Sequence, residues 1–205
     1  MRPALFAVSL VLLALPCAVL AEKNPGVVDG NLHYHHDLDG RCVLPRDVIV
    51  WTPPGYEADT ERRYPVLYMH DGQNVFDPAS SYIGVEWQAD ETVVRLVEEG
   101  VIEPMIVVGL THTILRDKEY SPGPRGRGYM EFLVKQVKPM IDEKYRTRPG
   151  KQHTLTAGAS MGGLIACMLG WSYPDVFGAV MCFSPAFTVK GQADWSRFFT
   201  ESEGG

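Results

Sequence analysis

Four short stretches of this chain are apolar on both alternating sets of positions. They are VLYM within residues 64–72, MIVVGL within 103–112, LTAG within 153–158 and AVMCF within 178–185. A strand with one solvated face alternates apolar and polar residues, so strands without that alternation must be covered on both faces. Between them run segments with helical spacing: residues 90–100, with acids in the first turn and Gly100 at the end, residues 129–145, and a helix from Met161 to about Trp171. Met130, Leu133, Val134, Val137 and Ile141 form the buried stripe of the second helix, and Pro139 is expected to bend it. Strands alternating with helices in this way predict an α/β architecture: a mostly parallel sheet between two helical layers. A strand over residues 47–56, ended by Pro53 and Pro54, precedes them.

In such a sheet the working residues gather beyond the carboxyl ends of the strands. Residues 70–74, 111–116, Ser160 and 184–185 all fall there. The sequence HTLTAGASMGG places a Gly-x-Ser-x-Gly between a strand and a helix, the context that gives this motif its chemistry. Gly158 and Gly162 permit a sharp turn that exposes Ser160, and the helix start points free N–H groups at a developing oxyanion. HDGQN, residues 70–74, follows an earlier strand and can supply a second backbone donor.

Composition narrows the function further. The 205 residues are 45% hydrophobic with a net charge of −6, which suits one globular domain and argues against a nucleic-acid partner. Residues 1–21 read as a signal peptide, with Arg2, an apolar core from Ala4 to Leu15 and a small-residue site ending at Ala21. The mature chain, 22–205, is then a single secreted or periplasmic domain without a stable membrane span. Of its cysteines, Cys167 falls in a helix and Cys182 in a strand; both read as small apolar core residues, with one disulfide plus a free thiol as the alternative. HYHH, residues 33–36, reads as a solvated strand, and neither a metal nor a cofactor is expected.

YMHDGQNVFD, RDKEYSPG, YRTRPGKQHTLTAGASMGG and YPDVFGAVMCFSPAF together resemble an esterase family of α/β-hydrolases, from about Asp47 to Phe187. Enterochelin, feruloyl and acetyl xylan esterases, S-formylglutathione hydrolases and mycolyltransferases belong to it. The resemblance implies a three-layer α/β-hydrolase sandwich with Ser160 as nucleophile. It implies an oxyanion hole from the backbone N–H groups of Met161 and Gln73, and a cleft lined by Trp87, Arg116, Tyr120, His70 and Asp71. The partner would be a small-molecule ester of a siderophore, cell-wall or carbohydrate type, hydrolysed to acid and alcohol.

One departure stands out. In this fold the triad runs serine, acid, histidine along the chain, and no histidine follows Ser160. The family's acid and histidine, and the last strands that carry them, are therefore read as absent. The strand over 178–185 should present an open edge, and residues from about Val189 an incomplete lid. His70 and His112 both end strands on the serine's face, and the sequence does not choose between them as substitutes. A catalytically incomplete remnant or ligand-binding module of the same fold is the alternative reading.

Overall fold

A computed structural model describes residues 30–188 and 194–201; the segment read as a signal peptide and the start of the expected lid lie outside them. The strands are β1 (Asn31–Gly40), β2 (Val43–Thr52), β3 (Val66–His70), β4 (Ile106–Leu110), β5 (Thr154–Ala159) and β6 (Ala179–Phe183). They form one sheet in the order β1-β2-β4-β3-β5-β6. The ladders β3–β4, β3–β5 and β5–β6 are parallel, while β1–β2 and β2–β4 are antiparallel. β1, which carries HYHH, is half exposed along its length and pairs with β2 as an edge hairpin.

The pleat sorts the apolar side chains onto two faces. Val48, Val50, Val66, Tyr68, Ile106 and Val108 point to one core, Ile49, Trp51, Leu67, Met69 and Val107 to the other. The first core is closed by α3 (Pro124–Phe132), α4 (Lys138–Lys144) and α5 (Met161–Ser172), the second by α1 (Ala89–Glu98). Both alternating sets are buried, which is why these strands lack a polar face. Two short helices, α2 (Arg116–Glu119) and α6 (Phe198–Glu201), complete the order.

The long helix begins earlier than its apolar stripe suggests, and a π-turn precedes Pro139. Leu133–Val137 winds as a π-turn between α3 and α4. Proline has no N–H to donate, and its ring crowds the carbonyl four residues back. The wider turn moves that carbonyl aside without breaking the helix.

β6 is the other sheet edge, with no strand on its far side among the described residues. Its Val180 and Phe183 are 37% and 57% exposed, so the open edge inferred from sequence is present. Beside it, on the α1 face, an apolar groove of about 610 Å³ runs along Leu67, Met69, Val93, Leu155, Met181 and Phe183. Cys167 of α5 and Cys182 of β6 form a disulfide, which corrects their reading as separate core residues. Cys42 is exposed and unpaired.

Candidate functional site

Ser160 stands between β5 and α5 with φ 57° and ψ −120°, a conformation costly for any residue with a Cβ. The surroundings impose it. The Ser160 N–H donates to the Phe183 carbonyl at 2.9 Å, and its own carbonyl accepts from Leu164 and Ala186, each at 3.0 Å. The two motif glycines allow strand and helix to meet: a Cβ on Gly158 would lie 2.3 Å from the Gly162 carbonyl oxygen. Ser160 is consequently exposed, at the carboxyl end of the parallel strands.

The second loop is built in the same manner. Asp71 leaves β3 with φ 60° and ψ 48°, and Gly72–Asn74 closes a single 3-10 turn. Gly72 abuts the backbone of β4, where a Cβ would come within 2.5 Å of the Gly109 carbonyl carbon. Asn74 and Val75 donate back to Asp71 and Gly72. The N–H groups of Gln73 and Met161 have no acceptor among the described residues.

The two loops touch through Asp71. A Cβ on Gly162 would lie 3.0 Å from Asp71 Oδ2. Arg116 donates to both carboxylate oxygens, Nε to Oδ1 at 2.7 Å and Nη2 to Oδ2 at 2.8 Å. His112 Nδ1 lies 2.9 Å from Oδ1, and the Asp71 N–H donates to Tyr120 Oη at 3.2 Å. Burial alone would raise the Asp71 carboxyl, but the hydrogen bonds and charges of Arg116 and His112 outweigh it and hold it below the usual carboxylate range. The Gln73 carboxamide in turn lies against His112 Nδ1 and accepts the His112 N–H at 3.3 Å. The loop over residues 71–75 is thus tied to residues 111–120.

Of the cleft residues expected from sequence, His70 and Tyr120 are fully buried and offer no surface to a ligand. His70 Nδ1 pairs with Tyr129 Oη at 2.7 Å and Nε2 with Thr156 Oγ1 at 3.1 Å. Burial pushes its pKa down to about 4. Asp71 is also buried, and Arg116 is engaged with it rather than open to an anion. Trp87 is half exposed and lines the groove beside α1. Its backbone N–H donates to the Asn74 carbonyl at 2.7 Å, so its loop hangs from the Gly72–Asn74 turn.

Three features of the site had no clear signal in the sequence. The first is the orientation of His112 toward Asp71. The second is a buried ion pair beneath the loops, Arg46 to Glu119 at 2.8 Å, with Arg46 over the Tyr129 ring at 4.9 Å. The third is Asp90 in the first turn of α1, fully buried and pushed up to about 7 by burial and by the neighbouring acids Glu91 and Glu86. Among the described residues no group of three metal-ligating side chains exists, and no helix is long and apolar enough to cross a membrane.

A six-stranded, mostly parallel sheet with helices on both faces and a strained serine between strand and helix defines an α/β-hydrolase-type fold. The comparisons with known proteins agree. The family described as "Putative esterase" matches residues 44–203, and the chain belongs to that family. A ferulic acid esterase structure is similar at 28% identity and a TM-score of 0.65, over 81% of this chain and 62% of that one. The enterobactin esterase of Shigella flexneri shares the fold at 17% identity and a TM-score of 0.65, over 83% of this chain and 42% of that one. An endo-1,4-beta-xylanase/feruloyl esterase of Xylanibacter ruminicola is 29% identical over 139 residues, 63% of this chain and 18% of its own length. The chain thus spans less than two thirds of the length of each of these relatives.

Proposed function

We propose that this chain is a serine carboxylic-ester hydrolase that transfers an acyl group from an ester to water through Ser160. One observation carries the reading: an exposed serine, strained at φ 57° between β5 and α5, beside two unengaged backbone donors. Ser160 Oγ attacks the ester carbonyl, and the N–H groups of Met161 and Gln73 receive the oxyanion. The alcohol leaves, and water releases the acid. The names of two relatives support a hydroxycinnamoyl ester such as a ferulate as substrate. The signal-like segment 1–21 and the Cys167–Cys182 disulfide support an exported, oxidising setting.

The test is hydrolysis of methyl ferulate and p-nitrophenyl acetate by the chain and by its Ser160→Ala variant. Loss of turnover in the variant is expected, and equal rates in the two proteins would overturn the reading. A second reading, a ligand-binding remnant, is favoured by one fact: the Ser160 hydroxyl has no hydrogen-bond partner among the described residues. Saturable ferulate binding without turnover is what that reading expects.

A further inference from the structure

Asp71 is costly to the fold in two ways. Its backbone is left-handed, at φ 60° and ψ 48°, in a residue that carries a Cβ. Its carboxylate is out of water, with the side chain 3% exposed. A glycine would adopt the same backbone freely and bury no charge. The position therefore holds a carboxylate against both local backbone preference and desolvation.

Arg116 grips that carboxylate. Nε donates to Oδ1 at 2.7 Å and Nη2 to Oδ2 at 2.8 Å, a fork that fixes the plane of the group as well as its distance. Arg116 is itself set at the start of α2, where its N–H donates to the Thr113 carbonyl at 3.0 Å. Its guanidinium carbon lies 5.3 Å from the centre of the Tyr120 ring, and the Oη of that tyrosine receives the Asp71 N–H. Residues 116–120 thus hold Asp71 by side chain and backbone together. His112 adds one contact, at Oδ1.

The grip reaches both candidate oxyanion donors. The Asp71 carbonyl accepts the Asn74 N–H at 2.9 Å and so closes the turn in which Gln73 stands. A rotation of Asp71 carries the Gln73 N–H with it. On its other side Asp71 Oδ2 lies 3.0 Å from where a Cβ on Gly162 would stand, one residue beyond Met161 in the first turn of α5. One carboxylate therefore spaces the Gln73 turn from the helix that carries the Met161 N–H.

We propose that Arg116 is a positioning residue: through its fork on Asp71 it sets the Gln73 N–H against the Met161 N–H so that both reach one oxyanion. The inference rests on the esterase reading above. It gives Arg116 a task other than the contact with substrate that its place in the sequence suggests. Arg116 exchanges no proton and touches no reacting atom. Its effect falls where the ester carbonyl oxygen gains charge, and donors displaced by about 1 Å lose about 10²-fold in rate. An interaction that strengthens only in the transition state appears in kcat and leaves KM in place.

The experiment is hydrolysis of p-nitrophenyl acetate by the full 205-residue chain, by Arg116→Ala and by Arg116→Lys. Fluorophosphonate labelling of Ser160, read by peptide mass, and the urea midpoint of each protein accompany it. In Arg116→Ala, kcat and labelling should fall about 10²-fold at unchanged KM, and guanidinium far below denaturing concentration should restore part of both. Arg116→Lys keeps the charge without the fork, so it should stay slow. Wild-type rates in either variant overturn the inference and leave Ser160 in place. A loss that follows the urea midpoint and ignores guanidinium also overturns it, because Arg116 then only supports the fold. A raised KM at unchanged kcat overturns it in favour of direct contact with substrate. Absence of both turnover and labelling in the wild type overturns the esterase reading, and this inference with it.

Discussion

Ser160 and Phe183 are joined backbone to backbone, the serine N–H donating to the phenylalanine carbonyl at 2.9 Å. Three residues later Ala186 donates back to the Ser160 carbonyl at 3.0 Å. The elbow is therefore clasped by the chain leaving β6, and the Cys167–Cys182 bond links the same helix and strand. The geometry of the candidate nucleophile depends on an edge strand.

Breaking that link should loosen it. Cys167 and Cys182 are separated by 15 residues in sequence, and closing a loop of that size is worth about 3 kcal/mol by the chain-entropy account. The Cys167→Ala, Cys182→Ala double variant should lose about that much in urea unfolding. Its fluorophosphonate labelling should slow as well. Reductant should produce the same shift in the wild type and none in the double variant.

The two motif glycines should differ in tolerance. A Cβ on Gly158 meets the backbone carbonyl of Gly162 at 2.3 Å, and neither segment can retreat without parting β5 from α5. A Cβ on Gly162 meets only the Asp71 carboxylate, at 3.0 Å, and the His70 Cβ at 3.4 Å. Gly158→Ala should cost about 3 kcal/mol or more and Gly162→Ala about 1 kcal/mol. Thermal melts of the two variants check the order, and a reversed ranking would contradict the close approach of strand and helix.

Beneath the loops, Arg46 and Glu119 are both fully buried and 2.8 Å apart. Glu119 also accepts from Leu44 N–H at 3.3 Å and Thr113 Oγ1 at 2.9 Å. Removing the cation alone strands a buried carboxylate, so Arg46→Met should destabilise by about 3–5 kcal/mol. Adding Glu119→Gln keeps an acceptor and removes the charge. The double variant should recover much of the loss, and additive losses would show that the pair is not coupled.

The pH dependence of stability should contain two opposed slopes. Burial lowers His70 from 6.5 to about 4, so its contribution is complete above 6.5 and is lost as pH falls toward 4, about 3 kcal/mol in all. Asp90 is displaced the other way, from 3.8 to about 7 by burial and by Glu91, so its contribution is complete below 3.8 and is lost as pH rises toward 7. Between pH 4 and 7 the two oppose each other. His70→Gln should leave stability falling with rising pH, and Asp90→Asn should leave it rising. Urea midpoints across that range decide it, and a wild type steeper than both variants would contradict the assignment.

The sheet and the elbow were legible in the sequence because their signals are local. Apolar residues on both alternating sets mark strands buried on two sides, and Gly-x-Ser-x-Gly states its backbone requirement within five residues. The side-chain partners were not legible. Whether His70 turns inward to Tyr129 and Thr156 while His112 turns to Asp71 depends on contacts spanning 59, 86 and 41 residues. Nothing near either histidine encodes that choice. Cys167 and Cys182 looked like core residues because they are placed like core residues; only the register of β6 against β5 shows that they meet. Pro139 announced a disturbance, and the π-turn shows its form.

The His70 bond to Thr156 also has a temporal side. It joins β3 to β5 across 86 residues of chain, through the parallel pairing that also brings the HDGQN turn beside the elbow. Parallel strands so distant in sequence pair slowly, since the intervening chain must be ordered before the contacts form. The Gly-x-Ser-x-Gly motif is complete in sequence as soon as residue 162 is made, but the strained serine needs β6 to clasp it and β3 to bring the HDGQN turn beside it. On the proposed esterase reading, reactivity at Ser160 is accordingly a late event in the maturation of this polypeptide, and a nascent or unfolded chain carries the motif without its geometry.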